Sequence, residues 1–313
     1  MKNILWGLAF LIQNNNIENI VKREDIKIIQ NDDTDREMRI LNSKGLRSIG
    51  HFDASGIRVN LYITNAADNI ATARNFDIQD DNFNLNLFSE YIEDEYKNSI
   101  EYFKGISNRN NIYNLHLVIE DLGEERRYTV SQTRVNTRII EIDIRRWHKI
   151  YRGRRPYLAD LTSIHEFTHI NNYTLDDNEE RLHRELAAII FESLNYVREN
   201  GEEAYLNNYL NDIVGGIENP ESVLSNEYTG MVPLRHIVRY LINRTIDGSY
   251  RLGDDKLDKL EELAYSYLSD EDNGNKGFND ACLQIDLRDS NNNILTLERI
   301  RADLYKELIE NKE

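Results

Sequence analysis

Leu158-Ala159-Asp160-Leu161-Thr162-Ser163-Ile164-His165-Glu166-Phe167-Thr168-His169-Ile170 is the stretch from which the rest of the chain is best read. Leu158, Leu161, Ile164 and Phe167 recur at helical spacing behind Pro156, and Asn171-Asn172 stop the pattern, which predicts a buried helix over 157–170. Upstream, Phe88, Tyr91, Ile92, Tyr96, Ile100 and Phe103 predict an amphipathic helix over 87–105 that ends at Gly105. Leu115-His116-Leu117-Val118-Ile119 and Ile139-Ile140-Glu141-Ile142-Asp143-Ile144 read as strands, and the alternation over 128–137 suggests a third between them. Ile57-Arg58-Val59-Asn60-Leu61-Tyr62-Ile63 alternates as a half-buried strand. Downstream the pattern turns helical, near 178–199, 202–214, 233–245, 254–269 and 295–311, with Pro233 at a helix start and loops at Asn219-Pro220 and 273–277. The expected class is therefore α+β: a sheet-bearing N-terminal part that carries the 157–170 helix, then a mostly helical C-terminal part, with any cleft between them. The expected divisions are 1–85, mixed and without a readable role, 86–175, α+β, and 176–313, helical.

Composition narrows the chemistry. The 313 residues are 40% hydrophobic and 30% charged, enough for a buried core. The net charge of −17 argues against a general nucleic-acid binder and against a polybasic membrane anchor. The one cysteine, Cys282, excludes an intramolecular disulfide and a cysteine-based metal knuckle, and reads as a small core residue. A metal site must then draw on the seven histidines and the carboxylates. Ile4 to Ile12 is apolar but far short of the roughly 20 residues that span a bilayer, and no small-x-small cleavage site follows it. It reads as a buried first helix or strand, which favours a cytoplasmic chain, with export on an uncleaved or atypical N-terminal signal as the alternative. The basic run Arg145 to Arg155 reads first as a solvated segment that neutralises nearby carboxylates, and second as a rim for an acidic substrate segment. Asp32-Asp33-Thr34-Asp35, Asp254-Asp255 and Asp270-Glu271-Asp272 lack calcium-loop spacing and read as solvated turns. Nothing in the sequence sets an oligomeric state.

His165-Glu166-Phe167-Thr168-His169 fits H-E-x-x-H. Residues four apart on a helix share a face, so two imidazoles reach one zinc ion from the same side. Glu166 lies about 100° round the helix, where its carboxylate reaches a water on the metal rather than the metal itself. Zinc lowers that water's pKa to about 7, and the glutamate takes its proton. A catalytic zinc needs a third protein ligand and one open position. No H-x-x-G-x-x-H extension follows, since Asn172 and Leu175 occupy the Gly and His positions. Asp177 and Glu180 make a capping box for the next helix, on which Glu185 and Glu192 share one azimuth about 10 Å apart along the axis. One zinc takes only one of them. Glu185 is preferred because Ala187 and Ala188 allow close helix approach, whereas Glu192 is flanked by Phe191 and Leu194. Glu192, then His183 and Glu179, are the alternatives.

His165-Glu166-x-x-His169 followed by Glu185-x-x-Ala188 resembles the gluzincin group of zinc metallopeptidases, including the peptidase MA-like bacterial proteins. The resemblance covers about 87–200 and is sharp only over 158–192. It implies a zincin-like fold, whose edge strand presents the substrate backbone, zinc on His165, His169 and Glu185, and Glu166 as the residue that activates water. Members usually add a Tyr or His that steadies the oxyanion, for which Tyr228 and His236 are the candidates here. Ile189 stands where thermolysin-like members carry an Asp, and the spacer between second His and Glu is shorter, so no subfamily is assigned. The implied function is zinc-dependent peptidase activity on peptide or protein substrates, without nucleic acid or a stable membrane span. The alternative is a non-catalytic interaction or structural protein on the same scaffold.

Overall fold

The computed structural model describes residues 36–72, 84–104, 112–123, 130–134, 137–147, 156–171, 178–207, 217–225, 230–266 and 278–310. The chain divides into two compact units, Met1–Arg47 and Ser48–Glu313, and every element below apart from the first two residues of β1 lies in the second. Among the described residues the fold is α+β: one open five-stranded sheet and a mostly helical remainder.

The strands are β1 (Leu46–Ala54), β2 (Ile57–Thr64), β3 (Asn114–Glu120), β4 (Ser131–Thr133) and β5 (Ile139–Asp143), in the order β1-β2-β3-β5-β4. A two-residue turn joins β1 to β2. Ser55 and Gly56 both take positive φ, 49° and 88°, the backbone that a twisted hairpin requires. β2, β3 and β5 run parallel, and β4 pairs antiparallel with β5 at the edge. The sheet thus begins at Leu46, ahead of the division expected near 85. Between β2 and β3 run α1 (Asn65–Thr72) and α2 (Leu85–Tyr102). Thr64 Oγ1 accepts from the Ala67 N–H, and Asn84 caps α2 by accepting from the Asn86 and Leu87 N–H groups. Parallel neighbours need such long crossovers.

After β5 comes α3 (Pro156–Asn171), then α4 (Asn178–Asn200), a turn at Glu202–Ala204, a 3₁₀ turn at Pro220–Leu224, α5 (Met231–Ile246), α6 (Lys256–Ser266), α7 (Phe278–Gln284) and α8 (Leu297–Glu310). α3 packs on α2, β4 and α4, while α4 packs on α5 and α6. From Ser163 to Asn171 every residue is buried except His169, which is half-buried. The helix tolerates its buried polar residues because they find partners: Thr168 Oγ1 donates to the Ile164 carbonyl, Asn171 Nδ2 to the Phe167 carbonyl, and Ser99 Oγ of α2 to Ser163 Oγ at 2.7 Å. Cys282 is buried on α7, and burial pushes its thiol pKa up. Among the described residues no helix is long and apolar enough to cross a membrane. The segment expected at 1–12, the remainder of the basic run at 148–155, and the acidic stretches at 32–35 and 270–272 lie outside the described residues.

Candidate metal centre

The packing of α3 on α4 assembles the centre. His165 and His169 stand one turn apart on α3, their ring centroids 4.9 Å apart and their planes at 79°. Their Nε2 atoms come to 3.2 Å of each other. Across from them, Glu185 of α4 places Oε2 3.2 Å from His165 Nε2 and 3.6 Å from His169 Nε2. The three ligand atoms all lie within 4.8 Å of one another, and they form the metal-competent group among the described residues.

The donor set fits zinc. Two imidazole nitrogens and one carboxylate oxygen are its usual protein ligands in open sites. Glu185 Oε2 is buried yet accepts no well-formed hydrogen bond, an orphaned anionic atom faced by two ring nitrogens. Such an atom is costly to bury unless a cation meets it. The two carboxylates favour a proton on His165: burial pulls its pKa down, but Glu185 and Glu192 outweigh it and carry it to about 10. Burial likewise pushes Glu185 up, and the neighbouring His169 and His165 rings overcome this to hold its carboxyl well below the usual range. A metal ion must displace that proton to bind.

Glu192 takes a different part of the same histidine. It is fully buried two turns along α4 from Glu185, and its Oε2 lies 3.1 Å from His165 Nδ1. With Nδ1 donating to Glu192, a neutral ring keeps its lone pair on Nε2, facing Glu185 and His169. Arg235 of α5 steadies that carboxylate with two bonds, Nε to Oε1 at 3.0 Å and Nη2 to Oε2 at 3.2 Å. The two carboxylates weighed as rival ligands therefore face opposite nitrogens of one imidazole.

Glu166 is buried, stands outside the three-residue group and meets the sheet edge. Its Oε2 accepts from Thr133 Oγ1 at 2.8 Å, and its backbone carbonyl lies 3.0 Å from the same hydroxyl. Thr133 ends β4, the antiparallel edge strand packed on α3. Two residues earlier, Ser131 Oγ accepts from Trp147 Nε1 at 2.6 Å, and the Trp147 ring stacks on Tyr96 of α2.

His236 is buried on α5 immediately after Arg235 and stands outside the metal-competent group. Tyr228 lies outside the described residues, as do the side chains of Glu179 and His183. In the described part of the basic run, Arg145 pairs with Asp121 at 3.2 Å and Arg146 with the buried Asp143 at 2.8 Å, so both are tied to local carboxylates. Sequence reasoning missed Arg235 and Thr133. Neither has a spacing relation to H-E-x-x-H, and nothing else in the sequence singles either of them out. Compared with protein-family models, with curated proteins and with solved structures, the chain matches none of them.

Proposed function

We propose that the chain is a zinc-dependent peptidase in which a zincin-like sheet and helix carry the active site. The observation that carries this reading is the convergence of His165 Nε2, His169 Nε2 and Glu185 Oε2 within 4.8 Å of one another. These three residues would hold the ion, with Glu192 and Arg235 orienting His165 from behind. Zinc bound there lowers the pKa of a water and polarises a carbonyl oxygen. Glu166, next to one ligand in sequence but not one of the three, accepts the attacking water's proton and returns it to the leaving amine. The outer edge of β4 offers backbone groups along which an extended peptide adds as a further strand. An oxyanion donor is expected from the C-terminal half, with Tyr228 and His236 as its candidates.

The test is metal content measured beside hydrolysis. Purified Glu166→Gln should keep about one zinc per chain and lose cleavage of the peptides that wild type cuts in a denatured-proteome screen, whereas His165→Ala should lose the zinc. Full activity in Glu166→Gln would end the proposal.

A further inference from the structure

We infer that Thr133 is a positioning residue for Glu166: its hydroxyl holds the glutamate carboxylate in working orientation from the edge strand. The inference rests on the peptidase reading for its catalytic meaning, but the contact itself is independent of it.

Residue type is the first support. On the sheet face that includes Thr133, its neighbours along the register are aliphatic: Thr133 pairs with Ile140, and Ile140 with Leu117. Ser131 pairs with Ile142, which pairs with Ile119. Ser131 is buried and Thr133 half-buried, and a hydroxyl withdrawn from water costs free energy unless it is hydrogen-bonded. Both hydroxyls on this face have a partner, Ser131 in Trp147 Nε1 and Thr133 in Glu166. Packing alone would be served as well by valine.

Rigidity is the second. β4 is short, yet it is fixed at both ends. The Trp147–Ser131 bond pins its start, and the Arg134 N–H donates to the Ile139 carbonyl just past its end. A side chain on a pinned strand is a better support than one on a loop.

The third is the pair of acceptors. Thr133 Oγ1 has one proton and two oxygens of Glu166 within reach, Oε2 at 2.8 Å and the backbone carbonyl at 3.0 Å. The one hydroxyl thus meets Glu166 at both its side chain and its backbone, which ties the carboxylate to a fixed place relative to α3, and both contacts leave Oε1 clear of Thr133.

The experiment compares Thr133→Val with Thr133→Ser, with Thr133→Ala as a second removal should the valine form not fold. Kinetics use the peptide best cleaved by wild type in the proteome screen. The expected result is a kcat about 10- to 100-fold lower in the valine form, with KM within about twofold, unchanged zinc content, and recovery in the serine form. Crystals of the metal-free and zinc-loaded proteins give the second readout: the Glu166 carboxylate should leave its seat in the valine form and regain it in the serine form. An unchanged kcat in Thr133→Val, or a Glu166 seated there as in wild type, overturns the inference. If wild type cleaves nothing, the peptidase reading fails, and the crystals alone still decide whether Thr133 holds Glu166.

Discussion

Two buried imidazoles in this fold titrate in opposite directions, and their surroundings say why. His165 sits between Glu185 and Glu192, and its pKa rises to about 10 against the pull of burial. His116 on β3 is buried beside the charge of Arg138, and burial first, then that charge, lowers it to about 4. An unfolded histidine takes its proton near 6.5. Between those values the unfolded chain binds more protons than the folded one, so stability is fully present above about 6.5 and falls as pH drops towards 4. The loss attached to this one residue is at most about 3 kcal/mol. Urea unfolding of wild type and His116→Gln at pH 7.5 and pH 4.5 isolates it: the wild type should lose more stability on acidification than the variant. Equal losses would mean that His116 is not held neutral. Neither environment is visible in the sequence. That His165 and His169 share a helix face follows from their spacing alone. That Glu192 sits on the far nitrogen of His165, with Arg235 behind it, depends on how three helices pack.

At the scale of elements, legibility followed the strength of local periodicity. The helix expected over 157–170 is α3 at Pro156–Asn171, and that expected over 178–199 is α4 at Asn178–Asn200. Both have long apolar stripes to bury. β1 was not expected, and its residues explain it: Leu46, Ile49 and Phe52 fall three apart, so no two-residue alternation shows, and as an edge strand it buries only Phe52. α1 and α7 are short, with eight and seven residues, and give too little repeat to detect. The strand looked for over 128–137 is only Ser131–Thr133 among the described residues. The small residues of α4 make a prediction at this scale. Ala188 lies on the helix face between Glu185 and Glu192, the two residues that reach His165, and it is fully buried. A larger side chain there pushes α4 off α3. Ala188→Leu should cost about 1–3 kcal/mol in urea unfolding and lower the zinc content of purified protein. Native stability with full zinc would show that this face has room to spare.

Across the Ser48–Glu313 unit, the sheet and the C-terminal helices share one hydrophobic core, joined by aromatic rings of the helices before and after residue 175. Phe103 at the end of α2 meets Phe167 of α3 and Phe191 of α4 at 5.8 and 5.0 Å between ring centroids, and Phe191 meets Tyr265 of α6 at 4.9 Å. Arg198 of α4 extends the junction, bonding Tyr102 of α2 at 3.1 Å and Glu261 of α6 at 2.7 Å. The candidate metal ligands straddle the same junction, with His165 and His169 from α3 and Glu185 from α4. An ion bound there stabilises whatever unfolds when α3 and α4 part. Since the aromatic core parts at the same place, the sheet and the helical half should melt together. Calorimetry of zinc-loaded and chelator-treated protein should show one transition for this unit in each case. With free zinc about 100-fold above its Kd, the stabilisation is about 2.7 kcal/mol, a rise in Tm of about 5 °C for a unit of this size. Two transitions, of which zinc moves only one, would mean that the halves expected on either side of residue 175 fold separately and that the ion belongs to one of them.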